Sequence, residues 1–454
     1  MTPVKMEQTI VTPDQRLISP MTLTQAPKGY HFSLYTLNHD VNTLQFATRH
    51  EKLQHLRLHG LNVLNQNSNA SFIRQYVIGV FQCKAVFTYV SHDQTVWLAK
   101  GKLQTPKRFH LVRPADKNKE AKVMERLAVR SVYALGWDYG VVRLGKGTQG
   151  KSIVIDVIAR PKLNTYMTRA FQQAFDNYAT RIANLVPNTS ELLLGTDPEF
   201  ILVDASGTLK LASRYFSRRG AVGCDAIWQG SNRHNKPLVE LRPRPSSSPR
   251  ELIVRLYRGM LLAAKKINDP NVSWLAGALP RSGLPIGGHI HFSGVPLGSA
   301  ILRALDNYVT LPLVLVEDKR GLKRRPTYGF LGNFREKFHG GFEYRTPPSW
   351  LVSPTLTKGI LSLAKLIALN YPFLTYWPLR DVSVQKAYYR GEEEVVKSIV
   401  PALWREVRRL PQYAEEQNAL DPYYDYLMSG KTWDESEDIR QKWRIPPYHT
   451  VKKK

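Results

Sequence analysis

The chain has very little cysteine. Cys83 and Cys224 are its only two in 454 residues, too few for a disulfide framework, which excludes the stapled scaffolds of small secreted proteins. Long apolar runs are missing as well, since none approaches the roughly 20 residues that span a bilayer. The opening Met1-Thr2-Pro3-Val4-Lys5-Met6-Glu7 lacks the charged-then-apolar order of a secretory signal. A cytoplasmic protein without a membrane partner is expected. Acid is scarce: 37 Asp and Glu stand against 64 Lys and Arg, a formal net charge of +27. Such a charge suits nucleic acid, an anionic surface or a phosphate-bearing substrate. The basic residues are nevertheless scattered, with dense runs only at Lys319 to Arg325 and Lys452-Lys453-Lys454. No nucleic-acid-binding motif is present, so most of the charge reads as a solvated surface and nucleic acid is not expected as a partner. A P-loop is also absent.

What is present is an ordinary globular composition, 43% hydrophobic and 22% charged, in a chain long enough for two or three domains. Residues 1–45 read as an irregular lead-in rich in Thr, Pro and Gln. Residues 46–188 predict a smaller α+β domain. Phe72 to Val90 is β-branched and aromatic, a hairpin turning near Gln82-Cys83. Asn118 to Leu135 is helical, with Val123, Leu127 and Tyr133 among its apolar positions and Gly136 as its C-terminal cap. Strands follow near Val141 to Leu144 and Ile153 to Ile158. Met167, Phe171, Phe175, Tyr178, Ile182 and Leu185 then recur at spacings of three and four, an amphipathic helix that Val186 to Ser190 ends.

Residues 191–390 predict a second α+β domain with a mainly antiparallel sheet. Ser248, Pro249 and Glu251 form a capping box for a helix that turns Leu252, Leu256, Met260 and Ala264 to a core. A second helix opens at Ser353-Pro354 and runs to about Asn370, and another lies between Gly298 and Leu311. Residues 391–454 read as a helical, basic extension carrying Trp404, Trp433 and Trp443.

The second domain is organised around Leu193-Leu-Gly-Thr-Asp-Pro-Glu-Phe200. On a strand, residues two apart share a face, so Asp197 and Glu199 would project into one space. The same alternation recurs in Val239-Glu240-Leu241-Arg242, Gly288-His289-Ile290-His291-Phe292 and Phe342-Glu343-Tyr344-Arg345. Each motif alone has a plain reading: a turn with solvated acids, a surface ion pair, edge-strand histidines, a neutralised Glu–Arg pair. Together, four such strands side by side would have an apolar back, where helices pack, and a front of Asp, Glu, His and Arg. That front is costly unless metal ions and anions occupy it. Carboxylates and imidazoles without thiolates fit Mg²⁺ or Mn²⁺. Arg324, Arg325, Arg335 and Arg345 add the cations that phosphoryl transfer requires.

In this order the motifs Gly-Thr-Asp-Pro-Glu-Phe, Val-Glu-Leu-Arg-Pro, Gly-Gly-His-Ile-His-Phe-Ser, Arg-Arg-Pro-Thr-Tyr-Gly and Gly-Gly-Phe-Glu-Tyr-Arg-Thr-Pro closely resemble the carboxylate–amine ligases (amidoligases) of the glutamine synthetase-like superfamily. Those nearest in pattern are the type-2 COOH–NH2 ligases of phages and bacteria. The resemblance covers about residues 191–380. It implies a curved, mainly antiparallel sheet with helices on its back. It also implies metal ligation by Asp197, Glu199, Glu240, His289 and Glu343, with His291 near the nucleotide. Arg325 and Arg335 would contact that nucleotide, and Arg345, Arg335 and Glu240 would take part in catalysis. One further metal glutamate of glutamine synthetase has no counterpart here, because Arg242, Arg244 and Arg250 follow the second strand; the number of metals stays open.

The first domain resembles the C-terminal lobe of ATP-grasp ligases through Ala134 to Leu144 and Ile153 to Ile158. Arg143 stands where that family has a metal-binding acid, and only Asp156 remains of its second acid site. A docking or scaffolding copy without catalysis is implied, beside the alternative of an unrelated α+β domain.

The activity implied is ATP- and Mg²⁺-dependent joining of a small-molecule or peptide carboxylate to an amine through an acyl phosphate. Alternatives are a guanidino kinase of the same superfamily, a metal hydrolase on His289, His291 and Asp197, and a non-enzymatic basic binding protein.

Overall fold

Regular hydrogen-bonding patterns dominate the structure, a computed structural model that describes residues 48–65, 72–91, 109–185, 191–225, 235–338 and 340–448, with Leu23, Tyr30, His31, Leu34 and residues 36–38. Most of the lead-in, the Val186 to Ser190 boundary and the terminal lysines lie outside the described residues. The chain divides into two compact units, Met1–Val186 with Gly298–Ala300, and Pro187–Leu297 with Ile301–Lys454.

In the first unit, Thr48 caps α1 (Arg49–Leu58). The apolar hairpin forms as β1 (Phe72–Phe81) and β2 (Lys84–Ser91), turning at Gln82-Cys83. After β3 (Phe109–Leu111) and α2 (Lys119–Ala134), β4 (Tyr139–Gly147) and β5 (Ser152–Ile158) complete an antiparallel sheet in the order β3-β2-β1-β4-β5. α3 (Thr165–Ala183) follows and buries Met167, Phe171, Tyr178 and Ile182. α2 buries Ala121, Met124, Ala128, Val129, Ser131, Val132 and Ala134, while Val123, expected among its apolar positions, faces solvent. Neither cysteine forms a disulfide, and both are buried.

In the second unit, β6 (Leu193–Thr196), β7 (Glu199–Val203), β8 (Leu209–Lys210), β9 (Val222–Asp225) and β10 (Leu238–Leu241) precede α4 (Pro249–Lys266). β11 (Ser273–Leu275) and β12 (Ile290–Ser293) follow, then α5 (Ser299–Leu305), β13 (Phe334–Glu336) and β14 (Phe342–Tyr344). The expectation of one sheet carrying all four motifs is corrected. Two antiparallel sheets form, one ordered β11-β7-β10-β9 with β8 on β7, the other β13-β14-β12-β6. Pro198 is the reason: it has no N–H for a ladder, so the stretch from Leu193 to Val203 leaves one sheet at Thr196 and joins the other at Glu199. The junction is still stitched, since Asp197 N–H donates to His289 O at 3.4 Å, Glu199 N–H to Gly287 O at 3.0 Å and Leu241 N–H to Pro198 O at 3.2 Å.

Apolar residues back both sheets. Phe200 stacks on Trp274 with centroids 4.7 Å apart, and Phe292 on Phe342 at 5.1 Å. The Ser248 hydroxyl caps α4 as expected, accepting from the Glu251 N–H at 3.3 Å. The Glu251 carboxylate, however, takes the Ser246 hydroxyl instead of returning to the cap. The helix expected between Gly298 and Leu311 is α-helical only to Leu305, then widens into a π turn at Asp306–Thr310. That turn sets Asp306 and Thr310 each 2.6 Å from the Tyr344 hydroxyl, anchoring the back of β14.

After α6 (Pro354–Asn370), capped by Ser353, and α7 (Val382–Arg390), the last helices are α8 (Glu393–Val407), α9 (Tyr413–Met428) and α10 (Ile439–Trp443). The C-terminal segment is built into the second unit. Trp404, Trp433 and Trp443 are buried, Trp433 N–H donates to Val316 O at 2.9 Å, and buried Arg440 lies over the Trp274 ring at 5.6 Å. No helix among the described residues is long and apolar enough to cross a membrane.

Candidate active site

Alternation on β12 and β14 divides two side-chain sets. Ile290, Phe292, Phe342 and Tyr344 are buried behind the sheet, so His289, His291, Glu343 and Arg345 take the other face. β12 pairs with both β14 and β6, with His291 opposite Glu343 and Gly195. The strand end at Thr196 therefore delivers Asp197 to the same place. His289 Nδ1 lies 3.2 Å from Asp197 Oδ1 and 3.5 Å from Glu343 Oε1. His291 Nε2 lies 3.1 Å from Asp197 Oδ2. Two glycines permit this packing. A Cβ on Gly287 would stand 2.3 Å from His289 Nε2, and one on Gly288 would stand 2.5 Å from Pro348 O.

Glu343 is the centre. Its carboxylate is only 1% exposed and meets Lys337 Nζ at 2.5 Å, Arg345 Nε at 2.9 Å and Arg335 Nη1 at 3.5 Å. Burial pushes its pKa up, but His289 and these cations outweigh that and hold it below the ordinary value. Asp197 is held well below its ordinary range, because the two imidazoles overcome the cost of burial.

Glu199 and Glu240 stand directly opposite each other on β7 and β10, and both are pushed the other way. Glu199 is raised by burial, although it accepts the Gly287 N–H at 2.8 Å. Glu240 is raised to about 8 by burial and by Asp197, against the opposing pull of Arg242, which pairs with it.

Of the nine residues singled out from sequence, Asp197, His289, His291, Glu343, Arg335 and Arg345 converge on one another. Glu199 and Glu240 lie on the adjoining sheet. Arg325 is engaged elsewhere: it is 3% exposed, pairs with Glu317 at 2.5 Å and stacks over Tyr388 at 4.9 Å. Sequence reasoning missed Lys337, although it stands two residues beyond Arg335 on the same alternation. It also passed over the structural task of Arg324, whose buried guanidinium donates to Thr346 O at 2.9 Å and Pro347 O at 3.0 Å and so fixes the chain just after Arg345.

The residues fit a divalent ion. Ligand atoms of Asp197, His291 and Glu343 lie within 4.8 Å of one another. Asp197 Oδ1, His291 Nε2 and Glu343 Oε2 are buried without an aligned hydrogen bond, although each has a charged or polar group nearby. Buried polar atoms left this way are costly. Two carboxylates with one imidazole form a hard-to-borderline set suited to Mg²⁺ or Mn²⁺.

Residues 194–445 match the family model described as phage phiEco32-like COOH.NH2 ligase-type 2. No curated protein matches the chain. Similar solved structures include a bifunctional glutathione synthetase from Pasteurella multocida, 12% identical with a TM-score of 0.35, over 56% of this chain and 52% of that one. They also include the complex of the prokaryotic ubiquitin-like protein Pup with its ligase PafA, 13% identical with a TM-score of 0.33, over 56% and 67%. The chain thus spans about half the length of that glutathione synthetase. Neither likeness is close enough to bear on activity.

Proposed function

The chain belongs to the phage phiEco32-like COOH.NH2 ligase-type 2 family, and on that premise we propose that it condenses a small-molecule or peptide carboxylate with an amine at the expense of ATP. The observation that carries this reading is the convergence of Asp197, His289, His291 and Glu343 with Arg335, Lys337 and Arg345 on one face. Asp197, His291 and Glu343 would hold Mg²⁺ or Mn²⁺, with Glu199 and Glu240 as further acids beside them. Such an ion neutralises charge on phosphate oxygens.

Arg345 and Arg335 present guanidinium forks whose planar donors match a phosphoryl group or a carboxylate. Arg345 is held at the site by Arg324, which fixes the backbone that follows it. In the reaction proposed, a substrate carboxylate oxygen attacks the γ-phosphorus and ADP leaves. The amine nitrogen then attacks the acyl carbon, the C–O bond to phosphate breaks, and the amine gives up a proton. Glu343 and His289 are buried within the site, and an acyl phosphate formed there would have to be shielded from water.

The test supplies the protein with ATP, Mg²⁺ and pooled amino acids and peptides, and follows products by mass spectrometry. Products lighter than their two substrates by one water, formed with ADP and phosphate, are expected. A stable phosphoguanidine would identify a kinase instead. ATP-independent hydrolysis, or no turnover in any pool, would overturn the reading.

A further inference from the structure

Glu343 has more cationic partners than its single charge calls for, and one of them differs in kind. Arg335 and Arg345 carry broad, delocalised forks, whereas Lys337 ends in a compact point charge on a flexible stem. Its Nζ comes nearest of the three, 2.5 Å from Glu343 Oε2. The contact is charge-assisted, and it helps hold the Glu343 carboxyl below its ordinary pKa. Oε2 also belongs to the same carboxylate as the proposed ligand set with Asp197 and His291.

The backbone of Lys337 is fixed, its N–H donating to Gly341 O at 2.8 Å and its carbonyl accepting from Gly340 N–H at 3.1 Å. Only the four-carbon stem has to move for the ammonium to leave. A divalent ion on Glu343 would sit beside that ammonium and repel it, because like charges a few ångströms apart in a buried site are strongly unfavourable.

We propose that Lys337 is a built-in counter-cation of the metal site, one that neutralises Glu343 in the metal-free protein and that a divalent ion displaces. The proposal rests on the reading of Asp197, His291 and Glu343 as metal ligands. Lys337 and the ion then compete for one carboxylate, and by linkage each weakens the other's hold. Metal affinity is set lower than the acids alone would give, and in the metal-free protein the ammonium sits against Glu343 Oε2 in the ion's stead.

The test is Mn²⁺ titration of the full chain, followed by electron paramagnetic resonance, with thermal melting of the same samples. Lys337→Met is expected to bind Mn²⁺ on the order of tenfold more tightly than wild type, a typical size for such coupling. Its metal-free form should melt at a lower temperature and gain more from added Mn²⁺. Lys337→Arg should stay close to wild type. Arg335→Met, which removes an equal charge from 3.5 Å, should tighten binding less. If Lys337→Met does not fold, Lys337→Gln is judged by the same criteria. The proposal is overturned if the neutral variant binds Mn²⁺ no more tightly than wild type, or no more tightly than Arg335→Met. A wild-type protein that binds no Mn²⁺ at all overturns the metal reading with it.

Discussion

Each unit has an acid directly opposite an arginine in adjacent antiparallel strands: Asp156 facing Arg143 in the first, Glu343 facing Arg335 in the second. The first pair is closed. Lys52 Nζ sits 3.0 Å from Asp156 Oδ1 and also donates to Val157 O, and Arg143 lies across the strand. The second is open. Glu343 has three cations and an imidazole within 3.5 Å, yet one of its oxygens lacks an aligned hydrogen bond. The same local grammar therefore serves stability in one place and, on our reading, chemistry in the other. What separates them is how many charged groups converge: one lysine and one facing arginine around Asp156, but three cations and an imidazole from β12, β13, β14 and the residues beside them around Glu343.

Substitutions can break that contrast. Glu343→Gln should lower ATP-dependent product formation by about a thousandfold or more, the scale for losing a metal ligand with its transition-state charge, while circular dichroism stays native. Asp156→Asn should leave the same assay within about twofold, since Asp156 is a partner in an ion pair; comparable losses in both variants would erase the distinction.

Arg345→Lys keeps the charge beside Glu343 but not the fork, so turnover should fall on the order of a hundredfold with normal folding. Turnover near wild type would reduce Arg345 to a counter-ion.

Glu435 is a third kind of buried acid, sharpened by having backbone donors in place of a cation. It accepts from Ala278 and Leu279 N–H, and burial lifts its pKa to about 7. The folded state then binds its proton more tightly than the unfolded chain. Stability from this group is full below about pH 4.5 and is lost as pH rises through about 7, on the order of 3 kcal/mol in all. Urea midpoints should fall between pH 5 and pH 8, and Glu435→Gln should reduce the difference by its share, leaving what Glu199 and Glu240 contribute.

The smallest effect belongs to the closed pair, where Asp156→Asn should cost about 1 kcal/mol of stability, read from the same urea curves.

Much of this was legible because alternation is a strong code. The motifs at Glu240, His289, His291, Glu343 and Arg345 all lie on or beside strands with apolar residues behind them. The helix caps at Ser248 and Ser353 were legible for a similar local reason. Sheet membership was not, although Pro198 carried the warning: a residue without an N–H, set between two acids, splits a strand. Lys337 was hidden because it lies just past the end of β13, and a lone lysine after a strand has many plain readings. Arg324 and Arg325 were indistinguishable in sequence. Only packing shows one guanidinium under Thr346 and Pro347 and the other against Glu317. The C-terminal tryptophans gave no local clue to their distant partners, Val316 O for the Trp433 N–H and Leu351 O for the Trp443 indole.

The strand shared between two sheets also governs when the site can exist. Its groups come from Asp197, Glu240, His289, His291 and Glu343, and Trp433 and Arg440 close over the core beneath. During synthesis, then, an emerging chain carries Asp197 for about ninety residues before its partners His289 and His291 are made. These pairings are long-range and form late. On the reading of Asp197, His291 and Glu343 as ligands, a cation site is complete only once Glu343 has been made, so cation binding reports that the strands from β6 to β14 are in place.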